Sequence, residues 1–230
     1  MTTTTTDSRV NEAASAPQIP PTAATERPRP MLPFQVPRLV HRVPRRRVRI
    51  DGESQPPRAV QRLDGQPLIY ILDDNTLATG ELSIFTAPEH AVEATGFQSW
   101  TPGTADAPGA QGVTFGGYVS LYEHIYYQGH EWNFYPGWGP IPDFRHVYGW
   151  SNININDQVS SMDVNVNANP VGTIAWVVLY SDISFGGDQL WTSDSFAYDD
   201  QGGGMRANLV DIGWNDVASS LAYGYSVGAH

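Results

Sequence analysis

The chain has 230 residues, no cysteine and a formal net charge of −11 at pH 7, which excludes a disulfide framework and any thiolate nucleophile or thiolate metal site. The charge is unevenly divided: residues 1–62 hold 11 arginines against 5 acids, whereas residues 115–230 hold only Arg145 and Arg206 against 12 acids. Such an acidic C-terminal half repels nucleic acid and anionic membrane and attracts divalent cations.

Residues 1–60 read as a disordered Thr/Pro/Arg-rich arm, because so few apolar side chains cannot offset the entropy of ordering the segment. The start, Met1-Thr-Thr-Thr-Thr-Thr-Asp-Ser-Arg, lacks the apolar stretch of a secretory signal, so the expected location is cytoplasmic, with secretion left open. Within the arm, Arg38-Leu-Val-His-Arg-Val-Pro-Arg-Arg-Arg-Val-Arg49 is a compact basic run. It is either a solvated charged linker or an arm attracted to the acidic half. Residues 61–100 read as a small ββα segment of unknown role. Pro67-Leu-Ile-Tyr-Ile-Leu72 is a strand, Asp73-Asp74-Asn75 a turn, and Glu81-Leu-Ser-Ile-Phe85 a second strand. Thr86 is the expected cap of a helix with Pro88 in its first turn and Glu89 completing a capping box. Residues 101–113, rich in Pro, Gly and Ala, read as a linker.

From residue 114 the pattern is all-β: short apolar stretches are separated by Gly, Pro, Asn and Asp, as in an antiparallel sandwich. Met162, Val164 and Val166 alternate with Asp163 and Asn165, the period of a half-buried strand. One pattern occurs twice. Tyr122-Glu-His-Ile-Tyr-Tyr127-Gln-Gly129 is followed by Asn156-Asp157-Gln158-Val159-Ser160-Ser161. Tyr180-Ser-Asp-Ile-Ser-Phe185-Gly-Gly187 is followed by Asn215-Asp216-Val217-Ala218-Ser219-Ser220. The first halves lie 58 residues apart and the second halves 59 apart, so both parts were duplicated in register. Gly129 and Gly187 suit a turn that needs positive φ, with Tyr122 against Tyr127 and Tyr180 against Phe185 across the hairpin.

Aromatic-x4-aromatic-x-Gly followed by (Asn/Asp)-(Asn/Asp)-x-x-(Ser/Thr)-Ser resembles the βγ-crystallin Greek-key signature, over about residues 114–228. With Ser160 and Ser219 both present, it is similar to the calcium-binding microbial branch. The resemblance implies a double Greek-key β-sandwich over 114–230, with key one at 114–170 and key two at 171–230. It implies two Ca2+ per chain that stabilise the domain, in the service of calcium sensing or stress protection.

Calcium takes six to eight oxygen ligands from carboxylates, carbonyls and hydroxyls. A six-residue loop offers the Asp157 carboxylate, the Gln158 carbonyl and the Ser160 hydroxyl, or their equivalents Asp216, Val217 and Ser219. The resemblance implies that the other key's hairpin adds a main-chain oxygen, Ser181 for the first loop and Glu123 for the second. The same residues also make metal-free Asx and Ser/Thr turns.

No catalytic constellation emerges, and the expectation is a protein that is not an enzyme. His124 and His130 flank the first hairpin without a third ligand, His146 follows Asp143 and Arg145 without a partner, and no nucleophile elbow, phosphate loop or zinc-protease string occurs. Trp132, Trp176 and Trp191 fall on expected strands. Trp138, Trp150 and Trp214 lie in Gly-rich loops, either covering the end of the sandwich or binding sugars or an unknown protein partner. The alternative function is a protein-binding module on the same fold, such as a metalloprotease inhibitor or toxin-like effector; those relatives generally rely on disulfides, which this chain lacks.

Overall fold

Arg47–Ile50 (β1) and Glu53–Gln55 (β2) pair antiparallel inside the stretch that composition assigns to the disordered arm. Asp51 and Gly52 close the hairpin at φ of 47° and 87°, the two left-handed residues that a type I′ turn requires. Val48 is fully buried while Arg47 and Arg49 face solvent. The alternation and the Asp-Gly turn outweigh the charge, so order begins well before residue 61. The computed structural model of the chain describes residues 39–100, 113–148, 154–169, 173–193 and 205–227. The expected disorder of residues 1–38, the linker over 101–112 and Trp150 lie outside the described residues.

Ile69–Leu72 (β3) is buried at every position. The expected turn after it is instead a short helix, Asp74–Thr79 (α1), because Asp73 and Thr76 form a reciprocal capping box at its start. Glu81–Phe85 (β4) follows as expected. The next helix, Pro88–Thr95 (α2), begins after Ala87 without a side-chain cap. Thr86 is not the cap: its N–H and hydroxyl donate to the Asp51 carboxylate at 3.0 and 2.7 Å, tying the helix entry to the first hairpin. Gln98–Trp100 (β5) completes this half. Thr114–His124 (β6), Gln128–Phe134 (β7), Ser161–Asn169 (β8), Thr173–Asp182 (β9), Gly186–Ser193 (β10), Met205–Asn208 (β11) and Ser220–Val227 (β12) form the rest.

The strands make two sheets, one of order β11-β8-β6-β7 and one of order β2-β1-β4-β3-β10-β9-β12-β5. The keys exchange edges. β11 of key two pairs with β8 of key one, and Ile141 of key one bridges Leu221 in β12 of key two. This is a double Greek-key β-sandwich. Residues 61–100 do not stand apart from it. β3 lies parallel to β10, and β5 pairs antiparallel with β12, so the N-terminal strands extend the second key's sheet on both sides. A strand buried on both faces needs neighbours on both edges, and β3 finds them in β4 and β10. Pro37–His230 accordingly make one compact unit.

Between the sheets, Val48, Leu82 and Ile84 share one core with Leu121, Val164 and Leu179. On the outer face of the larger sheet, Ala91 of α2 packs with Ile69, Ile71, Trp176, Val178 and Trp191. Trp132, Trp176 and Trp191 are buried as their strand positions imply, and Trp214 is buried too, edge-on to Tyr70 at 5.7 Å. Trp138 stays 64 % exposed. Among the described residues no helix is long and apolar enough to cross a membrane.

The N-terminal segment is pinned by His41, which is 2 % exposed. Its Nε2 lies 3.3 Å from Asp188 Oδ1 in β10 and its Nδ1 3.2 Å from Asp64 Oδ1. Asp188 also accepts the Leu68 N–H at 2.8 Å. Burial lowers the imidazole pKa, but the bond to Asp188 and the charges of Asp188 and Asp64 prevail and raise it.

A raised folded-state pKa contributes stability in full below the ordinary value of 6.5 and loses it as pH climbs through the folded value. Urea unfolding should therefore give a stability that falls above pH 6.5, with a flatter profile in His41→Gln; parallel profiles would clear His41 of the effect. Leu82, fully buried, tests the shared core. Leu82→Ala should cost about 2–5 kcal/mol in one cooperative transition seen alike by tryptophan fluorescence and circular dichroism. Two separate transitions would mean that the N-terminal strands fold independently.

Candidate metal centre

Each glycine hairpin is held by more than its glycine. Gly129 and Gly187 sit at φ of 81° and 74° as expected, but Tyr126, Tyr127, Ser184 and Phe185 are also left-handed. Non-glycine residues adopt this conformation only when their surroundings impose it. The last serine of each corner does so. The Ser161 hydroxyl accepts the Tyr127 N–H at 3.1 Å and donates to His124 O at 2.6 Å. Ser220 does the same for the Phe185 N–H at 3.2 Å and Asp182 O at 2.8 Å. Both serines are fully buried. The aromatic pairs meet edge to face, Tyr122–Tyr127 at 5.6 Å and Tyr180–Phe185 at 5.5 Å.

The Asn-Asp corners interlock. Asp157 N–H donates to Ala218 O at 3.2 Å, and Asp216 N–H donates to Val159 O at 2.9 Å. Asp157 and Asp216 take φ of 55° and 53°, and each carboxylate turns toward the sister corner. The Ser219 hydroxyl donates to Asp157 Oδ1 at 3.2 Å and the Ser160 hydroxyl to Asp216 Oδ1 at 3.3 Å. Here the sequence-based grouping is corrected. Asp157 meets Ser219 rather than Ser160, and Asp216 meets Ser160 rather than Ser219. The exchange follows from the backbone: Ser160 N–H is tied to Tyr122 O and Ser219 N–H to Tyr180 O, both at 2.8 Å. Each hydroxyl is thereby held beside its own hairpin while each carboxylate crosses over.

The same bonds place the hairpin residues. Glu123 and Ser181 directly follow Tyr122 and Tyr180, whose carbonyls accept from the Ser160 and Ser219 N–H groups. The Glu123 carboxylate itself is engaged elsewhere, accepting from His130 Nδ1 at 2.6 Å and His130 N at 3.2 Å, and these bonds lower its pKa. His130 is thus partnered by Glu123 and not by His124. Gln158 and Val217 stand between the crossing aspartates and the carbonyls of Val159 and Ala218, which are used in the interlock.

Two features of the site, Asp182 and Arg42, escaped the sequence reading, and a third, Asn156, stood in the motif with its part as a ligand left open. Asp182, two residues beyond Tyr180, adds a carboxylate near Asp157. Burial raises the Asp157 pKa, the bonds from Ser219 and Asn156 oppose that, and the charges of Asp182 and Asp216 reinforce it. Asn156 Oδ1 is buried and has no hydrogen-bond partner. The position of Asn156 in the motif was its only sequence signal. Arg42 Nη1 donates to the main-chain oxygen of Asn215, a contact between residues too distant in sequence for any motif to reveal. Among the described residues no three His, Cys, Asp or Glu side chains converge on one point, so each crossed pair offers one carboxylate supplemented by hydroxyl, amide and carbonyl oxygens. An orphaned buried acceptor among hard oxygens fits calcium better than a thiolate- or imidazole-seeking metal.

No protein-family model and no curated protein matches the chain. Among solved structures, one concerned with the evolution of the eye-lens βγ-crystallin domain fold is 27 % identical, over 48 % of this chain and 95 % of its own, with a TM-score of 0.32. A βγ-crystallin from an archaeon is 21 % identical, over 46 % and 94 %, at 0.29. A clostrillin double mutant in complex with nickel is 22 % identical, over 46 % and 97 %, at 0.27. The chain's own features carry the assignment: a duplicated hairpin-and-corner motif, strands exchanged between two Greek keys, and corners that interlock. By these it has a double Greek-key β-sandwich and is similar to βγ-crystallin domains.

Proposed function

We propose that the domain is a non-enzymatic calcium-binding module with two sites, one built on Asp157, Ser219 and the Ser181 carbonyl, the other on Asp216, Ser160 and the Glu123 carbonyl. Gln158 and Val217 supply further main-chain oxygens. The observation that carries the reading is the pair of crossed carboxylate–hydroxyl contacts. They gather oxygens from both keys at two equivalent points, and the charges of Asp182 and Asp216 act on the Asp157 carboxylate. A bound calcium ion offsets the negative charge at the corners and links one key to the other. Because it binds only the folded form, it stabilises by mass action, by about 2.7 kcal/mol per site at a hundredfold excess over Kd. With one carboxylate per crossed pair, affinity falls in the range of sensors and extracellular modules rather than of tight buffers.

The melting temperature of the full chain should rise in millimolar calcium relative to chelator, and calorimetric titration should give two ions per chain. Superimposed melting curves would end the proposal. The adjacent serines separate binding from folding. Ser219→Arg should leave one ion per chain by placing a guanidinium at the Asp157 site. Ser220→Ala should lower stability in chelator by about 1–3 kcal/mol, because it strands a buried N–H and C=O, while both ions still bind.

Asp157→Asn should raise the melting temperature in chelator at neutral pH. A carboxylate whose folded pKa is raised above its ordinary 3.8 opposes folding once it is ionised. The same variant should lose part of the calcium-induced rise. A lower melting point in chelator would show that Asp157 serves the fold and not a ligand.

A further inference from the structure

The basic run has a place in the structure that the proposed function leaves unused. Its described part lies along residues 211–215, the approach to the second corner. Arg45 N–H donates to Asp211 O at 3.0 Å, and Arg45 Nη1 stands 3.5 Å from Asp211 Oδ1. The Arg42 carbonyl closes on Gly213 so tightly that a Cβ there would come within 2.7 Å of it. Gly213 sits at φ of 82°. From this backbone, held by the buried His41 between Asp64 and Asp188, Arg42 sends its guanidinium to the main-chain oxygen of Asn215, the residue before Asp216. It meets a carbonyl there and not a carboxylate, so its charge is not cancelled at that contact.

The first corner is served differently. Among the described residues Arg145 meets its approach, the Arg145 carbonyl accepting from Asn154 Nδ2 at 2.8 Å. The Arg145 guanidinium is committed to Asp143, with Nε at 2.9 Å and Nη2 at 2.7 Å from its two oxygens. The buried acceptor without a partner, Asn156 Oδ1, is also at the first corner, beside Asp157. The corners therefore match in backbone and differ in charge.

We infer that Arg42 acts as a tethered internal cation at the Asp216 site, so that the two sites are unequal: a divalent ion fills the Asp157 site first and enters the Asp216 site only against the guanidinium. This rests on the calcium reading above and makes Arg42 a residue that sets relative affinity rather than a ligand. A unit positive charge within about a Debye length, roughly 8 Å at physiological salt, acts directly on an incoming divalent cation. A difference on the order of tenfold in affinity follows for a partly solvated site. Because the charge is fixed and exposed, added monovalent salt narrows that difference.

The test is calorimetric calcium titration of the full chain at low salt, for wild type, Arg42→Ala and Arg42→Lys, with Asp157→Asn and Asp216→Asn marking the sites. Wild type should bind in two steps about tenfold or more apart, the tighter abolished by Asp157→Asn. Arg42→Ala should tighten the weaker step by about tenfold, Arg42→Lys should leave it weak, and salt should bring the wild-type steps together. Two equal steps that Arg42→Ala leaves unchanged would overturn the inference while leaving the calcium sites in place. So would an Arg42→Ala effect on the step that Asp157→Asn removes. Absence of calcium heat in every variant would instead overturn the calcium reading, and this inference with it.

Discussion

Two main-chain hydrogen bonds, Asp157 N–H to Ala218 O and Asp216 N–H to Val159 O, set the geometry on which the rest of the domain turns. They join segments about sixty residues apart and hold both aspartates in a left-handed conformation. That conformation sends each carboxylate away from its own loop. Neither corner is complete alone, since its acid faces the other's hydroxyl and its backbone donor meets the other's carbonyl. The exchange of β11 and of Ile141 between the keys repeats the same dependence at the level of strands.

Within each corner the two serines divide the work. The second, Ser161 or Ser220, is fully buried and clasps the aromatic hairpin through one accepted and one donated bond. The first, Ser160 or Ser219, faces the crossing carboxylate. A short motif thus combines a structural requirement with a pair of oxygen donors that face the sister corner. This explains why its residues make sense as turn formers and as oxygen donors alike. Burial of Asp157, reinforced by the charges of Asp182 and Asp216, holds its carboxyl above the usual carboxylate range.

Much of the double key was legible from sequence because its signals are local. The alternation of Met162, Val164 and Val166 reports β8, and the duplicated glycine and serine positions report the hairpins and corners. What escaped is non-local or was outweighed by composition. The Asp51-Gly52 turn after the alternating Val48 and Ile50 was a readable hairpin signal, masked by the arginines around it. The union of β3 with β10 pairs residues more than a hundred positions apart, and no period in either strand announces it. The crossing of Ser160 and Ser219 depends on which backbone donor meets which carbonyl, and the motif is silent on that. Thr86 carried a sound capping pattern, yet Asp51, brought close by the first hairpin, took its hydrogen bonds instead.

The placement of β3 and β5 has a bearing on self-association. An open strand edge offers a row of unpaired N–H and C=O groups to any passing chain. In the larger sheet, β3 covers the free side of β10, and β5 covers part of the free side of β12. The N-terminal half thus works as a built-in sheath for the second key, and a chain trimmed to its two keys would bare those edges and become prone to stick to its own copies.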